Sequence, residues 1–441
     1  MRLRAAIGYA PRRTIGGLIR SVRWRIAILL STAIAISYLD RQALSVAIKA
    51  VQHDIPLSNT DFSQLQAAFL LAYAFMYAGG GALVDALGTR RGLFAIMVGW
   101  SLASASHAFA TGFHSLLVSR FLLGAGEGGG FPAATKAVAE WFPARERSLA
   151  MGMINAGTAI GAVVAPPAIA AILGVASWRW VFAATGLLGL LWTIWWMHAY
   201  QPASRHAGLS PAERVDIAEV LVAAPGDEPK ASWSSLLSYP QVWGLIVAKF
   251  LSDAAWYFYL FWLPKYLYDV RGFDIKQVGA YAWIPYAAAG VGCLVGGWFS
   301  GWLLRRDWSL NAARKTALGA SAAMMPVIVF VTSAPTDVAI VLFSIAFFGQ
   351  QSWSTLVMIV PTDLFPRRIV ASVAGLVGFG GAMGGVVFNL VAGRMLDSGL
   401  GYGAVFGIVG TFHVIAFIVI LLTTPDIHQL EDARGRTRVP A

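Results

Sequence analysis

The sequence predicts an all-α integral membrane protein with twelve transmembrane helices in two pseudo-symmetric six-helix bundles. Three observations carry that expectation. Hydrophobic residues make up 57% of the 441-residue chain and charged residues only 12%, where an ordinary soluble protein carries about 25% charged residues. Twelve apolar runs follow one another, each near the roughly 20 residues that cross a bilayer as a helix. A motif also recurs: Glu140, Phe142, Pro143, Arg145 and Gly152 return as Asp363, Phe365, Pro366, Arg368 and Gly375, each 223 positions later. Such an internal repeat marks two related units with a shared site between them.

The runs of the first half cover 26–48, 62–84, 92–112, 113–137, 148–173 and 178–200. Those of the second half cover 242–263, 278–304, 316–334, 338–360, 371–396 and 402–424. The expected domains are a basic N-terminal tail 1–25, an N-terminal bundle 26–200, a linker 201–241, a C-terminal bundle 242–424 and a C-terminal tail 425–441. The tail holds seven arginines and no apolar core of its own, and the run behind it lacks a small-residue cleavage site, so it reads as an uncleaved first span. In the linker, Ser210, Pro211, Ala212 and Glu213 form a capping box with Pro at the first helical position, which predicts a short surface helix.

Basic residues fix the expected orientation. With both termini in the cytoplasm, about 24 of the 33 Lys and Arg fall on that side, about six fall outside, and Arg41, Arg120 and Lys249 lie within spans. That asymmetry is the positive-inside pattern. The net charge of +11 is thus accounted for by topology, and a nucleic-acid partner is not needed. The lone Cys293 excludes an intramolecular disulfide and a cysteine metal cluster.

Charges inside the spans are the candidate site. Burying one costs at least about 2.5 to 3.5 kcal/mol, so such residues face a bundle interior or a watery cavity. In the stretch from Arg120 to Arg147, RFLLGAGEGGGFPAATKAVAEWFPARER, Arg120 and Glu127 are seven residues apart, which places them on one face about 10.5 Å apart along a helix axis. Asp40 and Arg41 are adjacent and point about 100° apart. Arginine grips a carboxylate through two parallel hydrogen bonds and stays charged; Arg41 and Arg120 are therefore the expected anion ligands. A carboxyl in a partly dry site can exchange a proton during a cycle, which suits Asp40 and Glu127. The alternative is that all four form fixed buried pairs holding helices together, a weak source of stability.

Lys249 and Asp253, four residues apart in the seventh run, read either as a structural or gating pair or as a substrate contact through Lys249. Tyr38 and Tyr73 would contact a hydroxylated substrate or else simply pack. Gln350, Gln351, Ser352, Trp353 and Ser354 interrupt the tenth run; buried amides must find partners, and Gln351 and Trp353 are taken as substrate-binding candidates, with interhelical bonding as the alternative. Asn155, Asn389, His107 and His413 are assigned to helix bonding and core packing. Pro166 and Pro167 should kink the fifth span. Metal-ligand spacing and a catalytic constellation are both lacking, so the chain is expected to be neither a metalloprotein nor an enzyme, and to need no cofactor.

Between the second and third runs the chain reads Gly81, Leu83, Asp85, Gly88, Arg90, Arg91, and here it resembles the major facilitator superfamily at all six signature positions. The second half keeps only Gly296, Gly297, Gly301, Arg305 and Arg306. Tyr38, Asp40, Arg41, Arg120, Gly124, Glu127 and Gly128, with AEWFPARERS and WGLIVAKFLSDAAW, are similar to the anion:cation symporter branch, in particular bacterial hexuronate and aldonate transporters. The resemblance implies a major facilitator fold in the bacterial inner membrane and gating by Asp85, Arg90 and Arg91. It further implies proton-coupled symport of an organic anion, with Asp40 and Glu127 carrying protons and Arg41 and Arg120 engaging the substrate. A monocarboxylate sugar acid is expected, a hexuronate ahead of an aldonate, a dicarboxylate or an aromatic acid. The expected protein is a monomer whose partners are this small anion and the lipid bilayer; a non-transporting membrane sensor is the alternative of another class.

Overall fold

The computed structural model describes residues 21–218, 236–365 and 367–428; the rest of both tails and the linker residues 219–235 lie outside the described residues. Every described apolar run is helical. α1 spans Val22–Asp54 and ends where Ile55 turns extended before Pro56. Ser58 and Asp61 then cap α2 reciprocally. α2, Asn59–Ser106, contains two arms, because Gly88 adopts φ 75 and ψ 155. That left-handed angle is open to glycine at little cost, so the signature glycine is what turns the chain back across the bundle.

The fourth run is two helices, α3 Phe113–Glu127 and α4 Gly130–Trp141. Its glycines set this: a Cβ on Gly124 would strike the Phe69 carbonyl, and one on Gly128 would come within 2.6 Å of the Tyr73 carbonyl. α5 Ala144–Leu173 stays helical through Pro166 and Pro167, and α6 covers Trp178–Ala199. In the linker, α7 Pro211–Asp216 carries the expected Ser210–Glu213 box. The second half comprises α8 Pro240–Asp269, α9 Ile275–Tyr281, α10 Trp283–Leu304, α11 Leu310–Ala323 followed by a 3-10 stretch, α12 Thr336–Leu364, α13 Arg367–Asp397, α14 Gly401–Val409 and α15 Phe412–Thr423.

Among the described residues, nine helical segments are long and apolar enough to cross a membrane. The remaining three runs fall on the first arm of α2, on α3 with α4, and on α11 with its 3-10 extension. Outward faces are greasy: Leu187, Leu188, Leu191, Ile194 and Trp195 of α6 are exposed, a continuous apolar stripe that a water-facing helix would not carry.

The two halves meet along α2 with α13 and along α5 with α9 and α10. Small residues let the seams close: Gly393 approaches Ser63 and Asn59, and Gly279 sits on Ala170 and Pro166. Polar contacts between the halves gather at the end opposite the chain termini, here termed distal. Asp397 accepts hydrogen bonds from Asn59 N (3.1 Å), Asn59 Nδ2 (2.9 Å) and Thr60 N (2.7 Å). Lys49 pairs with Asp269 at 2.8 Å, and the Tyr268 hydroxyl donates to the Val46 carbonyl at 2.8 Å. At the proximal end, described ion pairs join Asp85 to Lys136 and Arg314 to Asp363, each within one half, and Arg23 to Glu146 and to Asp216 of the linker.

Candidate functional site

The centre of the N-terminal half holds the predicted charges. Arg41 and Glu127, each 2% exposed, form an ion pair, with Nε 2.6 Å from Oε2. The Ser37 hydroxyl donates to the same oxygen at 2.6 Å, one helical turn before Arg41 on α1. Among the described residues, Oε1 of Glu127 has no hydrogen-bond partner. The guanidinium lies between two rings, 4.7 Å from the Tyr38 centroid and 4.4 Å from that of Tyr73, with Phe69 at 5.5 Å. Cation–π contacts of this kind hold a cation without neutralising it, so the arginine is steadied by aromatic faces while only one carboxylate competes for its hydrogen bonds.

Arg120 is fully buried. It sits over Phe69 at 4.8 Å and donates through Nη2 to Gln66 Oε1, while its Nε and Nη1 are buried without partners among the described residues. Its neighbour is thus an amide, not an acid, and the guanidinium keeps spare donors. Gln66 in turn donates to Ser45 at 3.2 Å. Asp40 is fully buried and takes a 2.7 Å hydrogen bond on Oδ1 from the Ser104 hydroxyl. Among the described residues Asp40 makes no ion pair, so the two acids occupy unlike settings.

From the other half, Lys249 lies 2.8 Å from Asp253 Oδ1 and donates to Ser354 Oγ at 3.0 Å. Gly381 of α13 packs directly on this pair. Gln351 is half-buried one turn before Ser354 on α12 and so shares its face. Trp353 is not brought to the group: it is buried against His413, at 5.5 Å between ring centroids, and Phe417, at 6.4 Å, inside the C-terminal half. Successive helical residues point about 100° apart, which is why neighbours of one polar run part ways. Tyr257, one turn beyond Asp253, is buried within electrostatic reach of Tyr73, Asp253, Arg41 and Tyr38.

The signature loop ties the first half to itself. Asp85 pairs with Lys136 at 2.8 Å, the Arg90 guanidinium donates to the Met197 carbonyl, and Arg91 is exposed. The repeat-related acids do parallel work. Glu140 accepts from Thr89 at 2.6 Å and Tyr200 at 2.5 Å, while Asp363 pairs with Arg314 at 2.7 Å. Contacts from Asp85, Arg90 and Arg91 across to the other half are not among those described.

Asn389 accepts from Trp262 Nε1 at 2.8 Å, a helix–helix bond, and His107 stacks on Phe182 at 4.7 Å. Sequence reasoning missed Gln66, Phe69, Ser37, Ser104 and Tyr257. Gln66 stands seven residues before Tyr73 and Tyr257 four after Asp253, spacings that share a helix face and could have found both.

The sequence profile of the Major Facilitator Superfamily matches residues 30–388. The chain is 30% identical over 429 residues to the hexuronate transporter of Escherichia coli K12, covering 96% of this chain and 99% of that one. It is 32% identical over 311 residues to the galacturonate transporter of Dickeya chrysanthemi, covering 70% and 90%. In three dimensions it resembles a bacterial homologue of the human lysosomal transporter Spinster, solved in an inward-facing, occupied conformation, with a TM-score of 0.74, 17% identity and 91% and 97% coverage.

Proposed function

Because the chain belongs to the major facilitator superfamily, a family of transporters and not enzymes, we propose that it is a proton-coupled symporter importing a hexuronate by alternating access. The relatives named hexuronate and galacturonate transporter support the substrate class. The observation that carries the mechanism is the buried Arg41–Glu127 pair held between Tyr38 and Tyr73. An uncharged Glu127 releases the Arg41 guanidinium, and a substrate carboxylate takes its place through two parallel hydrogen bonds. Arg120, with two spare donor nitrogens, Lys249 and Gln351 complete the contacts, and the tyrosines face the sugar ring.

Each bundle, 26–200 and 242–424, rocks as a unit about this site. The contacts through Asp397 and Asp269 serve the distal closure, and the basic loops support placing the opposite end in the cytoplasm of a bacterial inner membrane. Asp85, Arg90 and Arg91 serve the opposite closure. Two protons with one monocarboxylate move one net charge, worth about 2.3 kcal/mol at 100 mV.

The test is uptake of labelled galacturonate and glucuronate into proteoliposomes containing the purified chain. An inwardly directed proton gradient should drive saturable accumulation of at least one of them, and Arg41→Ala should abolish it. Movement of an aldonate, dicarboxylate or aromatic acid instead would overturn the substrate; binding without flux would return the sensor.

A further inference from the structure

Among the described residues, Asp40 is the buried acid of this site that makes no ion pair, and its surroundings show how it can titrate there. It lies where α1, the second arm of α2 and α6 meet. Its Oδ1 takes the Ser104 hydroxyl at 2.7 Å, Ser104 Oγ is 3.0 Å from Thr185 Oγ1, and Thr185 Oγ1 reaches the Phe182 carbonyl at 3.3 Å. Ser104 and Thr185 are 0% and 4% exposed. The charged groups that act on Asp40 include Glu127 and Arg120 of α3, beside Arg41 on its own helix; His107, in the 3-10 turn His107–Phe109 that follows α2, donates from Nδ1 to the Ala103 carbonyl at 2.9 Å.

A hydroxyl can both donate and accept, and this chain of two ends on a carbonyl, which only accepts. With Asp40 ionised, Thr185 donates to Ser104 and Ser104 to the carboxylate. With Asp40 protonated on Oδ1, that O–H donates to Ser104, Ser104 donates to Thr185, and Thr185 donates to the Phe182 carbonyl. Each hydroxyl keeps its own proton and only turns; the sole proton gained or lost is the one on Asp40. Neither state leaves these hydroxyls unpaired, where a fixed donor such as lysine or an amide N–H would satisfy the ionised form alone. Buried polar groups left without partners are costly, so the arrangement fits a carboxyl that must exist in both forms.

Resting on the symport reading above, we infer that Ser104 and Thr185 form a reversible hydroxyl relay that positions Asp40 for both of its protonation states. They are positioning residues and touch no substrate. The deciding measurement is infrared difference spectroscopy on the full chain in proteoliposomes, with pH jumps and no substrate. A protonated-carboxyl carbonyl band belonging to Asp40 should vanish in Asp40→Asn. Ser104→Ala and the isosteric Thr185→Val should displace that band and move its half-amplitude by about tenfold in proton concentration, the size expected for one hydrogen bond to a charged group. Ser104→Thr and Thr185→Ser should restore it.

A band indifferent to both Ser104→Ala and Thr185→Val, or the absence of any band lost in Asp40→Asn, would overturn the relay. Should Ser104→Ala fail to fold, Thr185→Val and the two hydroxyl-preserving variants decide alone. The relay is read without substrate. Failure of hexuronate uptake with the band behaving as described would therefore sink the substrate reading and leave the relay standing.

Discussion

Replacing Glu127 by Gln should convert the transporter into one that binds its anion more tightly and no longer concentrates it. Arg41 and Glu127 are each 2% exposed and 2.6 Å apart. Removing one member of a buried pair typically costs about 3 to 5 kcal/mol, because the remaining charge is left uncompensated. In the substrate-free variant Arg41 would carry that penalty, steadied only by Tyr38, Tyr73 and Phe69. An incoming carboxylate relieves it. At a pH where wild-type Glu127 is ionised, hexuronate binding should therefore strengthen by about 3 kcal/mol, or roughly a hundredfold, and should depend less on pH, with Asp40 left as the other acid of the site. Calorimetric titration at two pH values reads both effects. Counterflow exchange should persist while uphill accumulation disappears, because the variant has no proton to carry at this position. If Glu127→Gln still accumulates substrate against a gradient, or if its affinity remains at the wild-type value, competition between Glu127 and the substrate for Arg41 is wrong.

Other elements yield separate expectations. Asp397→Asn removes the negative charge that caps α2 from the opposite half; at about 1 kcal/mol it should shift the population roughly fivefold toward the distally open form, read by spin-label distances across that end. Gly124→Ala presses a Cβ into the Phe69 carbonyl and should destabilise the fold by about 1 to 3 kcal/mol, whereas Gly99→Ala, with nothing within 4 Å, should be neutral or slightly stabilising in thermal melts. Burial pushes the Glu213 carboxyl up, but hydrogen bonds from Ser21, Val22 N and Ser210 outweigh it and hold the group below its ordinary 4.5. Its stabilising effect is therefore present above about that pH and is lost as pH falls through the lowered value. Glu213→Gln should accordingly melt earlier than wild type at neutral pH, by about 1 kcal/mol or less given its exposure, and the gap should close in acid.

Much of this was readable from the chain because the bilayer imposes harsh rules. Backbone groups in lipid must be satisfied internally, so apolar runs near 20 residues become helices, and a charge within one signals a site. Arg41, Glu127, Lys249 and Asp253 were found that way. Gly88 carried its own conformational warrant. Partner choice was less legible. Arg120 was legible as an intramembrane cation, but its contact with Gln66 was not, because the amide stands in another run and only packing of α3 on α2 brings it there. Ser104 and Thr185 are single hydroxyls in apolar sequence, indistinguishable from ordinary interhelical bonds until α1 brings Asp40 to Ser104. Trp353 shares a polar run with Gln351 yet faces the opposite side of its helix. Breaks at Gly128 and Gly410 come from close helix approach and local turns, which hydropathy does not register.

The central claim is that anion binding and proton binding meet at Arg41 and Glu127. The most direct measurement is calorimetric titration of the purified chain with galacturonate in buffers of different ionisation enthalpy, which counts protons taken up per anion bound. At a pH where Glu127 is ionised, the account predicts proton uptake on binding by wild type and a reduced count in Glu127→Gln. Tight binding with no proton uptake, or a count unchanged by Glu127→Gln, would contradict it.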